Sequence, residues 1–349
     1  MRKALKFLLI VIISIVLFFG LFLLYVTLTD YKPLPVEKIS ESKGDVINVY
    51  DTLTIFSWNI GYCGLDKDMS FFYDGGEKMR TTKQQTVNNL NNIRYHIKMN
   101  DSVDFFLLQE VDIKSHRSYR LNEYDSILSM LKGFEGYTAI NYKVPFVPMP
   151  PTNPMGKVKS GLASFSNSKA FKVTRHAFEG NYSWPMRLFF LDRCFMVQRF
   201  YTSNGKELLI INTHNSAFDD GSLRLRQMKM MKEFLQKEYA NGNYIIVGGD
   251  WNQEPPKKGM EENIYKEKHL TRIRIAYDFM PDGWQWCALE DVPTNRLIDK
   301  VYNPDSAITA TIDFFLLSPN LKSISQKNID LQFENSDHNP TVLSFAFEH

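Results

Sequence analysis

The sequence predicts an α/β domain that follows one apolar segment. Short runs of β-forming residues recur along the chain, and most of them end in an acidic, amide or imidazole side chain. Segments with helical spacing of apolar residues separate several of these runs. Hydrophobic residues make up 44% and aromatic residues 14% of the 349 positions, which is typical of a globular chain with a large core.

The charge and the cysteine content argue against a generally basic nucleic-acid-binding protein, a cysteine-ligated metal site and a disulfide-rich protein. The net charge of +2 gives no general electrostatic reason to bind nucleic acid. Cys63, Cys194 and Cys287 lie far apart and show neither a metal-binding spacing nor a disulfide framework. We therefore expect three buried thiols.

The N-terminal segment is long and apolar enough to predict a membrane anchor. Residues 7–29 carry no charge, and a helix of about 20 apolar residues matches the hydrocarbon thickness of a bilayer. Basic residues precede this run and Asp30 follows it, so residues 1–6 are expected to stay in the cytoplasm. We expect an uncleaved signal anchor; the alternative is a long signal peptide.

A short polar segment separates the anchor from the domain. Residues 30–50 contain two prolines and predict a linker that holds the domain close to the membrane. Residues 46–50, VINVY, also fit the start of the first strand. Residues 51–349 are expected to form one domain.

The elements of this domain follow from periodicity. Helices are predicted over 83–98, 117–131 and 223–239. Strands are predicted over 52–59, 104–111, 160–166, 188–201, 207–212, 244–247 and 310–317, with a last strand after Asp337-His338. Residues 61–80 predict a Gly- and aromatic-rich loop, and residues 137–156 predict a proline-rich loop with Phe146, Val147 and Met149 exposed.

The stretch after residue 243 shows how polar groups follow the predicted strands. Residues 244–247 suit a strand buried on both faces, and Gly248-Gly249 then allow a turn. Asp250 and Asn252 are two residues apart, so in extended chain they point the same way. A polar turn that closes a strand is the alternative reading.

Comparable polar residues lie beside other apolar runs: Asn59, Glu110, His214, Asp313, Asp337 and His338. A charge beside such runs is costly unless it is paired or binds a metal ion. Strand ends are also where catalytic groups gather. The pattern predicts one shared polar site.

The residue types narrow the chemistry of that site. Glu110, Asp250 and Asp337 are hard oxygen donors without a Cys/His cluster, which favours Mg²⁺ or Mn²⁺. His338 with a buried Asp313 fits a general-base pair, in which the carboxylate fixes the imidazole tautomer.

Two further side chains suit a phosphate ligand. His214 and Asn252 can donate hydrogen bonds to a phosphoryl oxygen as charge builds there. Arg187 and Arg193 lie near a predicted strand, and a solvated or paired role is favoured over phosphate contact for both.

Six short motifs occur in a fixed order: SWNIG at 57–61, LLQEVD at 107–112, NTH at 212–214, GGDWN at 248–252, TIDFFL at 311–316 and SDHNP at 336–340. With them, the chain from about residue 52 onward resembles the endonuclease/exonuclease/phosphatase superfamily. That superfamily includes deoxyribonuclease-like and apurinic endonucleases, neutral sphingomyelinases and inositol polyphosphate phosphatases. The resemblance implies a four-layer α/β sandwich, in which helices flank two packed mixed β-sheets and the active site lies at one edge.

The resemblance also implies residue roles. Glu110 would hold the metal, Asn59 would support it and Asp337 would serve the metal site. Asp250 would orient or deprotonate the attacking water. Whether Asp250 or His338 is the general base stays open.

The other implied roles concern the phosphate. Asn252 would contact it, and His338 paired with Asp313 would act on the phosphate and the nucleophile.

These expectations combine into a membrane-anchored, metal-dependent phosphodiesterase on the extracytoplasmic side of the cell membrane. A monomer is expected, with a phosphate ester as substrate. A membrane lipid is preferred because anchoring raises its local concentration. The apolar loop at 144–151 and the aromatic loop at 69–76 also suit a lipid headgroup.

Two alternatives remain. An extracytoplasmic nuclease would need a basic strip beside the site, and no dense Lys/Arg cluster lies near the motifs. A non-catalytic anchored binding module is less favoured, because the full set of catalytic residue types is present.

Overall fold

Two β-sheets packed face to face make up the centre of the protein. The computed structural model describes residues 1–217, 219–259, 263–267 and 270–348. The helices are α1 (Arg2–Leu28), α2 (Lys83–Lys98), α3 (Glu123–Leu128) and α4 (Ser222–Ala240). The strands are β1 (Val36–Glu41), β2 (Val46–Ile47), β3 (Leu53–Asn59), β4 (Phe105–Asp112), β5 (Glu135–Val147), β6 (Gly156–Ser166), β7 (Lys172–Ala177), β8 (Cys194–Thr202), β9 (Glu207–His214), β10 (Tyr244–Asp250), β11 (Asn263–Glu267), β12 (Leu270–Arg274), β13 (Gln285–Cys287), β14 (Asn295–Arg296), β15 (Thr309–Ala310), β16 (Asp313–Leu317), β17 (Leu321–Asn328) and β18 (Thr341–Phe347).

Both large sheets are mixed. The first sheet has the order β1-β7-β8-β9-β10-β16-β13, and β2 lies beside β8. The second has the order β17-β18-β3-β4-β6-β5. Strands β9 and β10 are parallel in the first sheet, β3 and β4 are parallel in the second, and most other neighbours are antiparallel.

Apolar side chains hold four layers together. Ile55 and Leu107 of the second sheet pack against Ile210 and Ile246 of the first. The outer face of the second sheet is covered by α2 and α3, and that of the first sheet by α4. This arrangement confirms the predicted four-layer sandwich with helices on both sides.

The edges of the sheets differ most from the sequence-based expectations. The predicted linker over 30–50 is corrected in part, because β1 pairs with β7 and β2 pairs with β8. The predicted loop over 137–156 is wrong up to residue 147, where β5 forms the edge of the second sheet. Pro145 fits there because the pairing register shifts between Val144 and Val147.

Two more boundaries are corrected. The predicted helix over 117–131 is limited to Glu123–Leu128, because Tyr119 and Arg120 adopt positive φ angles of 54° and 63°. The predicted strand over 188–201 begins only at Cys194, because a 3₁₀ turn occupies Met186–Phe189. Helix α2 has the predicted bounds.

Helix α1 stands apart from the layers over most of its length. Residues 1–21 are exposed, and the helix is long and apolar enough to cross a membrane. A signal sequence near the N-terminus can meet the same criteria of length and composition. The three cysteines are buried as free thiols, as the sequence predicts.

Candidate active site

The register of the first sheet places three predicted site residues side by side. Asp250 at the end of β10 pairs with His214 of β9 on one side and with Asp313 of β16 on the other. Directly paired residues point to the same face of a sheet. Gly249 permits this approach, since a Cβ there would lie 2.1 Å from the carbonyl oxygen of Thr213.

The second sheet brings Asn59 and Glu110 to the same place. Strand β3 ends at Asn59, while a register shift between Leu108 and Val111 makes a bulge in β4. Glu110 lies in that bulge with a φ of 55°, which turns its carboxylate away from the regular alternation. Asn59 Nδ2 lies 2.9 Å from Asp250 Oδ2 and 3.5 Å from Glu110 Oε1, so this amide joins the two sheets.

The loop before β18 supplies the histidine. His338 Nδ1 lies 2.8 Å from Asp313 Oδ2, and Trp58 Nε1 donates to the carbonyl oxygen of His338 at 2.8 Å. These two bonds fix the ring so that Nε2 lies 3.7 Å from Asp250 Oδ2 and 3.8 Å from Asp337 Oδ2. The predicted His338–Asp313 pair is therefore present in the geometry.

Asn252 closes the turn after β10. Its backbone N–H donates to Asp250 Oδ1 at 2.9 Å, and its side-chain amide donates to the carbonyl oxygen of Asn215 at 2.9 Å. Arg224 donates to the carbonyl oxygen of Asn252 at 3.0 Å. These bonds hold Asn252 at a φ of 50°.

All eight predicted site residues meet around one cavity of about 340 Å³. Six of them line it: Glu110, His214, Asp250, Asn252, Asp337 and His338. The other two, Asn59 and Asp313, lie behind this lining and hydrogen-bond to Asp250 and His338 respectively. We call these eight side chains the floor.

Burial and repulsion by neighbouring carboxylates raise the pKa values of two carboxyl groups of the floor. Burial raises the pKa of Asp250 to about 6; His338 opposes this shift and Asp313 adds to it. Burial likewise raises the pKa of Asp337 to about 7, against His338 and with repulsion from Glu110. Groups with such perturbed pKa values cluster at functional sites.

The two histidines shift in opposite directions. Burial alone would lower the pKa of His338, but the surrounding carboxylates, of which Asp313 acts most strongly, raise it well above its ordinary value. Burial, with Arg193 nearby, lowers the pKa of His214 well below the ordinary value. This shift favours the neutral form of His214, whose Nε2 lies 3.4 Å from Asp250 Oδ2.

The donor set fits a hard divalent cation. Glu110 and Asp337 are neighbouring carboxylates that repel each other, and both line the cavity. Gly61 leaves room for Asp337, because a Cβ there would lie 2.9 Å from Asp337 Oδ1. Asn59 Oδ1 accepts from the Gly61 N–H at 3.0 Å, so Asn59 acts mainly as a support for the carboxylates.

A second group of potential ligand atoms belongs to Asp250, Asp313 and His338, all within 4.8 Å of one another. The 2.8 Å contact between His338 Nδ1 and Asp313 Oδ2 already occupies two of these atoms. This contact suits the His338–Asp313 pair to acid–base chemistry, and Glu110 and Asp337 are the carboxylates that would fit a cation.

Arg193, for which a solvated or paired role was expected, lies in the cavity wall. Arg193 lines the cavity, and its Nη1 is buried without a hydrogen-bond partner among the described residues. Burial lowers its pKa, whereas Glu110 and Asp250 oppose that shift. Arg187, by contrast, is paired with Asp30 at 3.1 Å, as expected.

Asn295 was missed altogether. Its amide nitrogen lies 3.0 Å from His338 Nε2. Asn295 belongs to the two-residue strand β14, which has no apolar run to reveal it.

An apolar wall adjoins the floor. Its members are Phe71, Tyr73, Met155, Phe189 and Leu191, all of which line the cavity. Tyr73, Phe189 and Leu191 are partly exposed, so this side of the cavity borders the surface. The cavity therefore combines a charged end with an apolar side.

The model of the Endonuclease/Exonuclease/phosphatase family matches residues 56–338. The chain belongs to this family. Its members are hydrolases that act on phosphate esters and generally use a divalent metal ion. No curated protein matches the sequence closely enough to count as a relative.

Solved structures share the fold at low sequence identity. An endonuclease/exonuclease/phosphatase from Beutenbergia cavernae is 13% identical with a TM-score of 0.58, covering 85% of this chain and 72% of that one. ANGEL2, a 2',3'-cyclic phosphatase solved with adenosine-2',3'-vanadate, is 16% identical with a TM-score of 0.56, covering 89% and 100%. D. rerio TDP2, solved with a single-strand DNA product, is 13% identical with a TM-score of 0.54, covering 84% and 99%.

Proposed function

We propose that the protein is a metal-dependent phosphodiesterase anchored in the cell membrane, with its catalytic domain on the extracytoplasmic side. One observation carries this proposal. Side chains from six separate motifs meet so that Asp250 lies between His214 and Asp313 in one sheet and contacts Asn59 of the other. Carboxylate, amide and imidazole side chains that line one cavity in this way support phosphate-ester hydrolysis.

We assign each floor residue a role in this reaction. Asp250, held by Asn59 and the Asn252 N–H, orients the attacking water at the base of the cavity. His338 is oriented by Asp313 and directs Nε2 at the same volume, where it stabilises a phosphoryl oxygen. A divalent cation held by Glu110 and Asp337 would supply neutralisation of phosphate charge.

His214 and Asn252 complete the phosphate site. His214 is neutral, because burial lowers its pKa, and so it can donate a hydrogen bond without adding charge. Asn252 lines the cavity from a turn that Arg224 holds in place. Both side chains suit the role of hydrogen-bond donors to phosphoryl oxygens.

A phospholipid or sphingolipid is the preferred substrate class. The charged floor suits a phosphate, and the apolar wall beside it suits an acyl or sphingoid chain near the headgroup. The apolar helix α1 supports a location in the membrane where such a substrate is concentrated.

A nucleic acid is the second candidate, because Arg117, Arg193, Arg224, Arg272 and Arg296 all line the cavity. Three of them, however, are paired with acids: Arg117 with Asp112, Arg224 with Asp219 and Arg272 with Glu254. Little free positive charge is left to follow a phosphate backbone, which favours the lipid.

Hydrolysis of bis-p-nitrophenyl phosphate tests the reaction. The full chain in detergent micelles should hydrolyse this diester only with Mg²⁺ or Mn²⁺. Asp250→Asn should lower kcat/KM by about 10³-fold, because it removes the charge that orients the water. The unfolding temperature should stay near that of the wild type.

Asp101→Asn is the matched control, since Asp101 is exposed in the turn after α2. The proposal is wrong if Asp250→Asn keeps wild-type activity. Comparing vesicles of phosphatidylcholine or sphingomyelin with single-stranded DNA then separates the two substrate classes.

A further inference from the structure

The last turns of α1 pack against the domain near the cavity. Phe22, Leu23, Val26 and Thr27 form one covered face of the helix, and Val26 is fully buried. The Phe22 ring stacks on Phe189 with centroids 6.1 Å apart. Since Phe189 also lines the cavity, a single aromatic ring separates α1 from the substrate site.

The charge pattern of α1 sets the depth of this contact in a bilayer. Lys6 is the last charged residue before the apolar run, so the hydrocarbon begins close to residue 7. About 20 helical residues cross the hydrocarbon, which places its far boundary near Val26. Phe22 then lies roughly 6 Å inside that boundary, at 1.5 Å per residue.

The domain side chains that touch Phe22 must lie at a similar depth. Phe146 contacts the Phe22 ring edge to face, with centroids 6.3 Å apart. Phe189 stacks on the same ring. When α1 spans a bilayer, this part of the domain cannot stay entirely in water.

Four exposed apolar side chains lie at the contact between α1 and the domain or within three residues of it in the sequence. Phe146, Met149, Trp184 and Met186 are 36%, 40%, 56% and 50% exposed. We call these four the collar. Trp184 Nε1 donates to Thr27 Oγ1 at 3.2 Å, so this amphipathic ring lies beside the end of α1, where membrane proteins concentrate Trp.

We propose that the collar inserts into the membrane leaflet that surrounds the C-terminal end of α1, so that the cavity faces the lipid of that leaflet. The proposal rests on the membrane anchoring in the proposed function and adds a second membrane contact made by the catalytic domain. Its occupant is the bilayer, because Phe146 and Trp184 of the collar contact a helix of membrane-spanning length.

A single labelled cysteine tests this directly. The native cysteines are buried, so Met149→Cys in the full chain can be labelled selectively with the polarity-sensitive fluorophore NBD. The protein is reconstituted in phosphatidylcholine–phosphatidylglycerol vesicles, with or without brominated acyl chains. NBD at position 149 should shift to shorter wavelength and be quenched at least about two-fold by the brominated lipid.

Tyr95→Cys is the matched control, because Tyr95 is 60% exposed on α2 and lies outside the collar. NBD at position 95 should show no quenching. Equal quenching at both positions, or none at position 149, overturns the collar proposal.

Trp184 gives an independent reading without a label. The other four tryptophans are present in both proteins, so the difference between wild type and Trp184→Phe isolates the signal of this one exposed ring. That difference signal should fall at least about two-fold in brominated lipid. An unchanged signal, together with unquenched NBD, contradicts insertion.

Failure of the collar to insert can be distinguished from failure of the proposed reaction. Each labelled protein is also assayed with bis-p-nitrophenyl phosphate, a soluble diester that needs no membrane. Hydrolysis without quenching overturns the collar and leaves the phosphodiesterase. Quenching without hydrolysis supports the collar and removes the phosphodiesterase.

Discussion

The floor and the apolar wall of the cavity are built in different ways. The floor consists mainly of residues at or next to strand ends, and sheet register alone places His214, Asp250 and Asp313 together. Most of the apolar wall, including Tyr73, Phe189 and Leu191, lies in segments between strands. The comparison indicates that the sheets position the floor residues, whereas segments between strands form most of the apolar wall.

Asp313→Asn tests the floor with the larger expected effect. The asparagine keeps the shape of the side chain but no longer supplies the carboxylate beside His338 Nδ1. We expect kcat for bis-p-nitrophenyl phosphate to fall by about 10²-fold with little change in KM. Steady-state kinetics on the full chain measures both quantities.

Asp278→Asn is the control for this variant, since Asp278 is exposed outside the cavity. A kcat within about two-fold of wild type for Asp313→Asn would show that His338 needs no carboxylate partner.

Arg193→Ala tests whether this arginine of the cavity lining binds the substrate phosphate. Its buried Nη1 lacks a partner among the described residues, so it is available to a phosphate oxygen. Removal should raise KM about ten-fold while kcat changes less than three-fold, because the contact binds substrate and transition state alike.

Arg193→Lys provides the matched comparison, since it keeps the charge but not the planar fork. It should recover part of the lost affinity. If Arg193→Ala leaves KM unchanged, the arginine serves only the packing of the wall.

His176 lies outside the floor and the apolar wall, and its pKa makes the stability of the fold depend on pH. Burial lowers its pKa from 6.5 to about 4, and Arg199 contributes to the shift. The folded state therefore binds fewer protons than the unfolded state between these values. The stability that His176 contributes is fully present above about pH 6.5 and is lost as pH falls through 6.5 towards 4.

We expect the free energy of unfolding to fall by about 2 kcal/mol more in wild type than in His176→Phe between pH 7 and pH 5. Urea unfolding of both proteins at the two pH values measures this difference. Parallel losses in the two proteins would show that His176 does not contribute.

The floor was predictable because its members adjoin recognisable β runs. Asp250 follows an uninterrupted apolar run, and Asp313 opens another. Helix α2 was predicted with its observed bounds for a similar reason, since its apolar residues recur at helical spacing.

Edge strands and loops were less predictable. Strand β1 is largely polar, because its edge position buries few side chains, and β5 contains Pro145, which resembles a loop signal. Arg193 was noted beside a predicted strand, but the sequence did not show that the chain before β8 places it near Glu110 and Asp250.

Glu110 and Asp337 are central to the proposed function, because they would bind the divalent cation at the floor. Electron paramagnetic resonance of Mn²⁺ with the full chain measures this binding without any substrate. Wild type and Asp101→Asn should bind Mn²⁺ equally, and Glu110→Gln should bind it at least about ten-fold more weakly. Equal Mn²⁺ affinity in folded Glu110→Gln and wild type would contradict the account.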